Sequence, residues 1–304
     1  MNAVDSATLH ARYGIPQQVA FKDGPGGLVM IEVDNKYATA TIALQGAQLL
    51  SWTPKGAQPV IWFSRAAKFA AGKSIRGGAP VCWPWFGPHS TEPSFPAHGF
   101  ARSAPWEIVD TQSLEDGSSR LVFRLCQTEA NRPLWPHASV LQCHITIGAT
   151  LGIELVTCNI GIEALTISQA LHTYFAVSDV RQIAIHGLDG CRYLDKVDGG
   201  KRKSQSGAVT FTEETDRIYL DSTADCVIDD PGLKRRIVIR KRGSRSTVVW
   251  NPWVEKAEKL GDMGENGYLN MVCVESANVA EDVVVIPPGN EHCLEVHYSI
   301  ECLE

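Results

Sequence analysis

The sequence predicts an all-β fold, a sandwich or barrel, on three observations. Short β-rich runs broken by Gly, Pro, Asp or Asn recur along most of the 304 residues. Helical periodicity is nearly absent, and only the N-terminal residues and WVEKAEKLGD (253–262) read as helix. No strand–helix alternation appears, and GPGG (24–27) lacks the lysine, the serine and the following helix of a phosphate loop.

The runs follow in order. LVMIEVDN (28–35), ATATIAL (38–44) and VIWFS (60–64) open the series. WEIVDT (106–111), RLVFRLCQ (120–127), VLQCHITIGA (140–149) and GIELVTCNIG (152–161) come next. LTISQALHTYFAV (165–177), QIAIHGL (182–188), RRIVIRK (235–241) and VVVIPPG (283–289) lead to CLEVHYSIE (293–301). In that last run Leu294, Val296, Tyr298 and Ile300 share one face, and Glu295, His297 and Ser299 the other. No repeat or low-complexity linker divides the chain, so 1–304 reads as one domain with residues 1–20 as a lead-in.

A hydrophobic content of 44% and a charged content of 20% are those of an ordinary globular protein. The net charge of −6 argues against nucleic acid as the main partner, because phosphate backbones need a basic field. LKRRIVIRKRGSR (233–245) runs against that balance and reads as a strand with solvated basic ends. Nine cysteines, none closer than nine residues, give no metal-type spacing; they read as buried, reduced thiols. MNAVDSATLHARYG has no basic-then-apolar leader pattern, and no apolar run approaches the ~18 residues of a membrane span. These readings point to a cytoplasmic protein with no membrane partner. The oligomeric state is left open, and a monomer is compatible with all of them.

Four places carry candidate chemistry. His172 lies in an apolar run, where period two puts Ala170, His172 and Tyr174 on one face. It is either a core histidine satisfied by a neighbour or a proton carrier near neutral pH. Glu275 follows Leu269, Met271 and Cys273 on one face of GYLNMVCVESAN (267–278). It is either a strand-end carboxylate reaching water or a buried one with a raised pKa, suited to general-base work. Arg76 precedes Gly77-Gly78, and Arg102 follows Gly99; two such arginines could converge on a dianion, with His98 as a further donor. Otherwise each pairs with a structural carboxylate. Trp83, Trp85 and Phe86 are either a wall for a sugar ring or core.

IRGGAPVCWPWFGPH, HGFAR…PW, LHTYFAVSDV, DRIY and ESAN occur in this order. Together they resemble the aldose 1-epimerase superfamily, and within it the hexose-6-phosphate 1-epimerases, over nearly the whole chain. The resemblance implies a large antiparallel β-sandwich of the galactose mutarotase type. It implies His172 as general acid, Glu275 as general base, and Arg76 and Arg102 as the substrate-binding arginines of the phosphosugar branch. Asp216, in TDRIY, matches the family's substrate-binding aspartate. Ala97 departs from members that carry glutamine before the HG pair, so one side-chain contact is missing. The implied reaction is anomer interconversion of a hexose 6-phosphate, with no metal and no cofactor. Two alternatives stay open: an epimerase of unphosphorylated hexoses, and a non-catalytic carbohydrate-binding protein on the same fold.

Overall fold

Alternation in the last strand becomes structure directly. In Glu291–Cys302 the side chains of Leu294, Val296 and Tyr298 are fully buried, while His297 faces water. This computed structural model describes residues 5–303. Glu291–Cys302 is a middle strand of an eight-stranded antiparallel sheet. Its order is Ala184–His186, Cys226–Asp230, Arg235–Arg242, Glu291–Cys302, Leu151–Asn159, Ser139–Ile147, Ser119–Leu125, Trp106–Ser113. We call it the back sheet.

A second eight-stranded sheet, the site sheet, runs Lys201–Ser204, Arg192–Asp195, Thr215–Tyr219, Ser246–Asn251, Met271–Asn278, Gln169–Leu171, Val81–Cys82. Its eighth strand, Tyr174–Ala176, also pairs with Met271–Asn278. Smaller antiparallel sheets flank the pair: Val19–Asp23 through Gln48–Pro54 in four strands, and Leu165–Ile167 with Val284–Ile286.

The core lies between the two large sheets. Val249, Val272, Val274, Leu171 and Phe175 from the site sheet join Leu121, Phe123, Leu155, Ile237 and Tyr298 from the back sheet in one buried cluster. Phe175 meets Tyr298 edge to face at 5.1 Å, tying the layers together. Truncating a fully buried Leu or Phe here removes about 2–5 kcal/mol.

Several expectations need correction. VIWFS (60–64) is not a strand; Ile61 and Phe63 make only isolated bridges, to Phe175 and Gly77. The run 165–177 is three short strands: the chain leaves the two-stranded sheet after Leu165–Ile167, and Gln169–Leu171 and Tyr174–Ala176 then follow each other along the same site-sheet strand with a break between them. Helix Trp253–Leu260 stops two residues early because Gly261 adopts the left-handed conformation (φ 68°, ψ 4°) that ends helices. The lead-in does form a helix, Ser6–Tyr13, which Asp5 caps by accepting from the Thr8 amide at 2.7 Å; residues 1–4 lie outside the described residues.

The basic stretch 233–245 contains an interior strand of the back sheet, Arg235–Arg242, and most of its cations are engaged. Arg235 is buried and donates to the carbonyls of Gln58, Pro59 and Ala176. Arg236 pairs with Asp229, Arg240 with Asp225 and Arg245 with Asp221. All nine cysteines are free thiols; four are buried and Cys302 is exposed. No helix among the described residues is long and apolar enough to cross a membrane.

Candidate active site

The break between Gln169–Leu171 and Tyr174–Ala176 builds the site. Leu171 pairs with Ser276 on one side of it and Tyr174 with Cys273 on the other, so the register sets His172 opposite Glu275. At the break His172 donates its backbone N–H to the Pro80 carbonyl, one step beyond the Leu171–Val81 pair on its other side. His172 Nε2 lies 3.3 Å from Glu275 Oε1. Two residues far apart in sequence thus meet as cross-strand neighbours on the face turned away from the central core.

Both side chains are dry: Glu275 is 1% exposed and His172 9%. Glu275 Oε2 and His172 Nδ1 are buried without a hydrogen-bond partner among the described residues. Burial holds the Glu275 carboxyl well above the usual carboxylate range; Asp216 adds to this, and Arg102 opposes it. Burial also holds His172 well below the usual imidazole range, helped by His98, Arg102 and Arg76. Desolvation therefore favours the neutral form of each partner.

The cations approach from two loops. Arg76 donates from Nε to Asp262 at 2.9 Å and from Nη1 to the Tyr174 hydroxyl at 3.0 Å. Next to it the backbone must pack tightly: a Cβ on Gly78 (φ 75°) would sit 2.1 Å from the Leu49 carbonyl oxygen. Arg102 donates to the Ala97 carbonyl at 2.8 Å and has no carboxylate partner among the described residues. Its loop needs Gly99 (φ 69°), where a Cβ would meet the Trp83 carbonyl at 2.0 Å. His98, itself left-handed at φ 64°, is pinned by donating its N–H to the Gly87 carbonyl at 2.7 Å. Its ring sits 5.7 Å from that of His172, and burial pushes its pKa down to about 3.

Asp216 lies on the same sheet face, in a cross-strand row with Trp250, Cys273 and Tyr174. Burial raises its pKa, and Lys256 stands 3.9 Å away. The face therefore presents a buried histidine–glutamate pair and an aspartate, with Arg102, which has no carboxylate partner among the described residues, on a neighbouring loop.

A family model described as "Aldose 1-epimerase" matches residues 29–299. The chain belongs to the aldose 1-epimerase family. As a member of it, the protein is an isomerase. It is 42% identical over 255 residues to a protein of Escherichia coli (strain K12) provisionally named glucose-6-phosphate 1-epimerase, covering 84% of each chain. A protein of Cenchrus ciliaris with the same provisional name is 33% identical over 277 residues, 88% of this chain and 83% of its own. The crystal structure of a Salmonella typhimurium protein provisionally called a mutarotase matches with a TM-score of 0.89 at 35% identity, covering 95% of this chain and 96% of that one.

On this epimerase fold all six sequence-derived site residues lie around the same sheet face, but they are not equivalent. Arg76 has the structural carboxylate partner that was its alternative reading, whereas Arg102 does not. Trp83 and Trp85 are core: Trp83 donates to the Thr157 hydroxyl at 3.1 Å and Trp85 to the Pro96 carbonyl at 2.9 Å. Phe86 alone of the three reaches the site, edge-on to His98 at 4.6 Å. Sequence reasoning missed Asp262, Trp62 and Trp250. Tyr174, stacked between His172 at 5.0 Å and Trp62 at 5.8 Å, was legible only as a period-two neighbour of His172. Asp262 had no signal, since it sits just past the helix end that Gly261 creates.

Proposed function

We propose that this epimerase interconverts the α and β anomers of a hexose 6-phosphate, glucose 6-phosphate first among them. The observation that carries the reading is the dry His172–Glu275 pair, 3.3 Å apart with one unpartnered atom on each side chain. Anomer exchange needs a base for the anomeric hydroxyl and an acid for the ring oxygen. Both oxygens are bonded to the same carbon, so acid and base must stand side by side.

Glu275 takes the O1 proton while His172 protonates the ring oxygen; the C1–O5 bond breaks and C1=O forms. The open aldehyde turns about its C1–C2 bond. The C5 hydroxyl then attacks the other face of C1, returning its proton to His172 as Glu275 reprotonates O1. The pair carries one proton throughout, starting as carboxylate and imidazolium and passing through the neutral acid and imidazole. Burial favours the neutral stage, which accompanies the open chain. Two proton transfers of this kind contribute ~10²–10⁴-fold each.

C6 is bonded to the carbon that carries the ring oxygen, so its phosphate falls on the His172 side. Arg76 and Arg102 both depress the proton affinity of His172. A phosphate dianion on these arginines offsets that effect and favours the imidazolium needed for ring opening. Arg102 is the main anchor, because Arg76 is neutralised by Asp262. His98 and Asp216 complete the sugar contacts. The free thiols support a reducing, cytoplasmic setting.

The Arg76–Asp262 pair favours a second reading, an epimerase of unphosphorylated hexoses. Anomerisation rates on glucose and glucose 6-phosphate separate the two. The proposal expects kcat/KM for the phosphosugar to exceed that for glucose by at least about tenfold, the worth of one charge-assisted contact. Equal values would favour the second reading.

A further inference from the structure

The acid/base scheme leaves one buried nucleophile unused. Cys273 stands two residues before Glu275 on the same strand face and is wholly buried. His172, Cys273 and Glu275 each offer one donor atom, and the three atoms lie within 4.8 Å of one another. Two of these side chains also carry a buried polar atom without a partner, His172 Nδ1 and Glu275 Oε2. Sequence spacing hides the trio, because His172 lies far earlier in the chain and meets the other two only across the sheet.

We propose that His172, Cys273 and Glu275 form a binding site for a thiophilic divalent cation, Zn²⁺ above all, which competes with the sugar. An imidazole nitrogen, a thiolate and a carboxylate make a three-ligand zinc set that leaves a fourth position for water. The charges suit a dry site: one thiolate and one carboxylate cancel a divalent ion, so no net charge is buried. Geometry is near. Tetrahedral bond lengths of about 2.0 Å to nitrogen or oxygen and about 2.3 Å to sulfur separate the donors of this set by roughly 3.3–3.5 Å. The histidine–glutamate contact already measures 3.3 Å and all three donor atoms lie within 4.8 Å, so the thiolate needs to move by no more than about 1.3 Å to join it. Hard cations such as Mg²⁺ prefer all-oxygen octahedral shells and do not fit this set.

A bound ion would occupy the atoms that carry protons between the two sugar oxygens. Inhibition therefore rests on the acid/base reading above, whereas binding does not. Titrating Co²⁺ into the metal-free protein separates the two. The expected result is a cobalt–thiolate charge-transfer band that saturates at one ion per chain and is displaced by glucose 6-phosphate. The band should be lost in Cys273→Ser and, should that variant not fold, in Cys273→Ala or Glu275→Gln. In parallel, Zn²⁺ should raise the apparent KM for glucose 6-phosphate, and Mg²⁺ should not. Measured against each variant's own metal-free rate, the half-inhibiting Zn²⁺ concentration should rise at least about tenfold without Cys273, since even outer-shell losses reach that size. No band, or a band that persists without Cys273, would overturn the site. A band with no effect of Zn²⁺ on exchange would keep the site and overturn the competition. Absence of anomer exchange in the metal-free protein would count against the epimerase scheme alone.

Discussion

Two histidine–glutamate pairs stand on opposite outer faces of the sandwich, alike in spacing and different in exposure and in hydrogen-bond partners. On the back sheet His144 and Glu154 are cross-strand neighbours 3.4 Å apart; on the site sheet His172 and Glu275 are 3.3 Å apart. The back pair has side chains 15% and 38% exposed, against 11% and 1% for the site pair. His144 also meets Arg120 at 3.0 Å and Gln142 at 3.1 Å, so its ring nitrogens are satisfied. The site pair has unpartnered atoms instead. The same two residue types at nearly the same spacing make a partly exposed, hydrogen-bonded network in one place and a buried pair with unpartnered atoms in the other. Exclusion of water and unmet hydrogen-bonding capacity make the difference.

The largest test of that contrast is paired mutagenesis. His172→Ala or Glu275→Gln should lower kcat for anomer exchange by ~10²–10⁴-fold with the fold retained by circular dichroism. His144→Ala or Glu154→Gln should leave kcat within about twofold and stability within about 1 kcal/mol, as for surface ion pairs. Comparable losses from both pairs would break the comparison.

Next in size is the phosphate arm. Arg102→Ala should raise KM for glucose 6-phosphate by about 10–100-fold, one charge-assisted contact, and leave kcat/KM for glucose within a few-fold. Equal effects on both sugars would remove the phosphate role. Trp83→Phe should be smaller and of another kind. Losing the bond to buried Thr157 lowers stability by about 1–2 kcal/mol in urea titrations, with kinetic constants of the folded enzyme unchanged. A raised KM instead would make Trp83 part of the site wall.

A further effect is a pH slope, gentle at any one pH. His98 has a folded pKa near 3 against an ordinary 6.5, so between those values the unfolded chain takes a proton that the folded chain refuses. Its contribution is complete above pH 6.5 and is lost as pH falls through that window. His98→Gln should therefore flatten the decline in stability below pH 6.5 by up to about 1.4 kcal/mol per pH unit. An unchanged slope would show that His98 is charged in the fold.

The two faces also explain what the sequence disclosed. Ser139–Ile147 alternates strictly between buried and half-buried positions, as a one-sided sheet requires, and its run stood out. Met271–Asn278 and Ser246–Asn251 are buried at every position, because loops cover the outer face of the site sheet. A strand covered on both sides loses its period-two signature, so Ser246–Asn251 passed unnoticed. Lys201–Ser204 was hidden for the opposite reason, being exposed throughout at a sheet edge. The site residues were legible as motifs, but their grouping was not. The His172–Glu275 contact depends on a register set on either side of a strand break, and Asp262 reaches Arg76 only because Gly261 ends a helix.

The most direct measurement is magnetisation-exchange NMR on glucose 6-phosphate at anomeric equilibrium, with catalytic amounts of the native protein or of Glu275→Gln. The account predicts exchange between the α and β H1 resonances far above the spontaneous rate with the native protein, and a return to near that rate with the variant. Exchange that is undiminished by Glu275→Gln, or that never rises above the uncatalysed rate with the native protein, would contradict it.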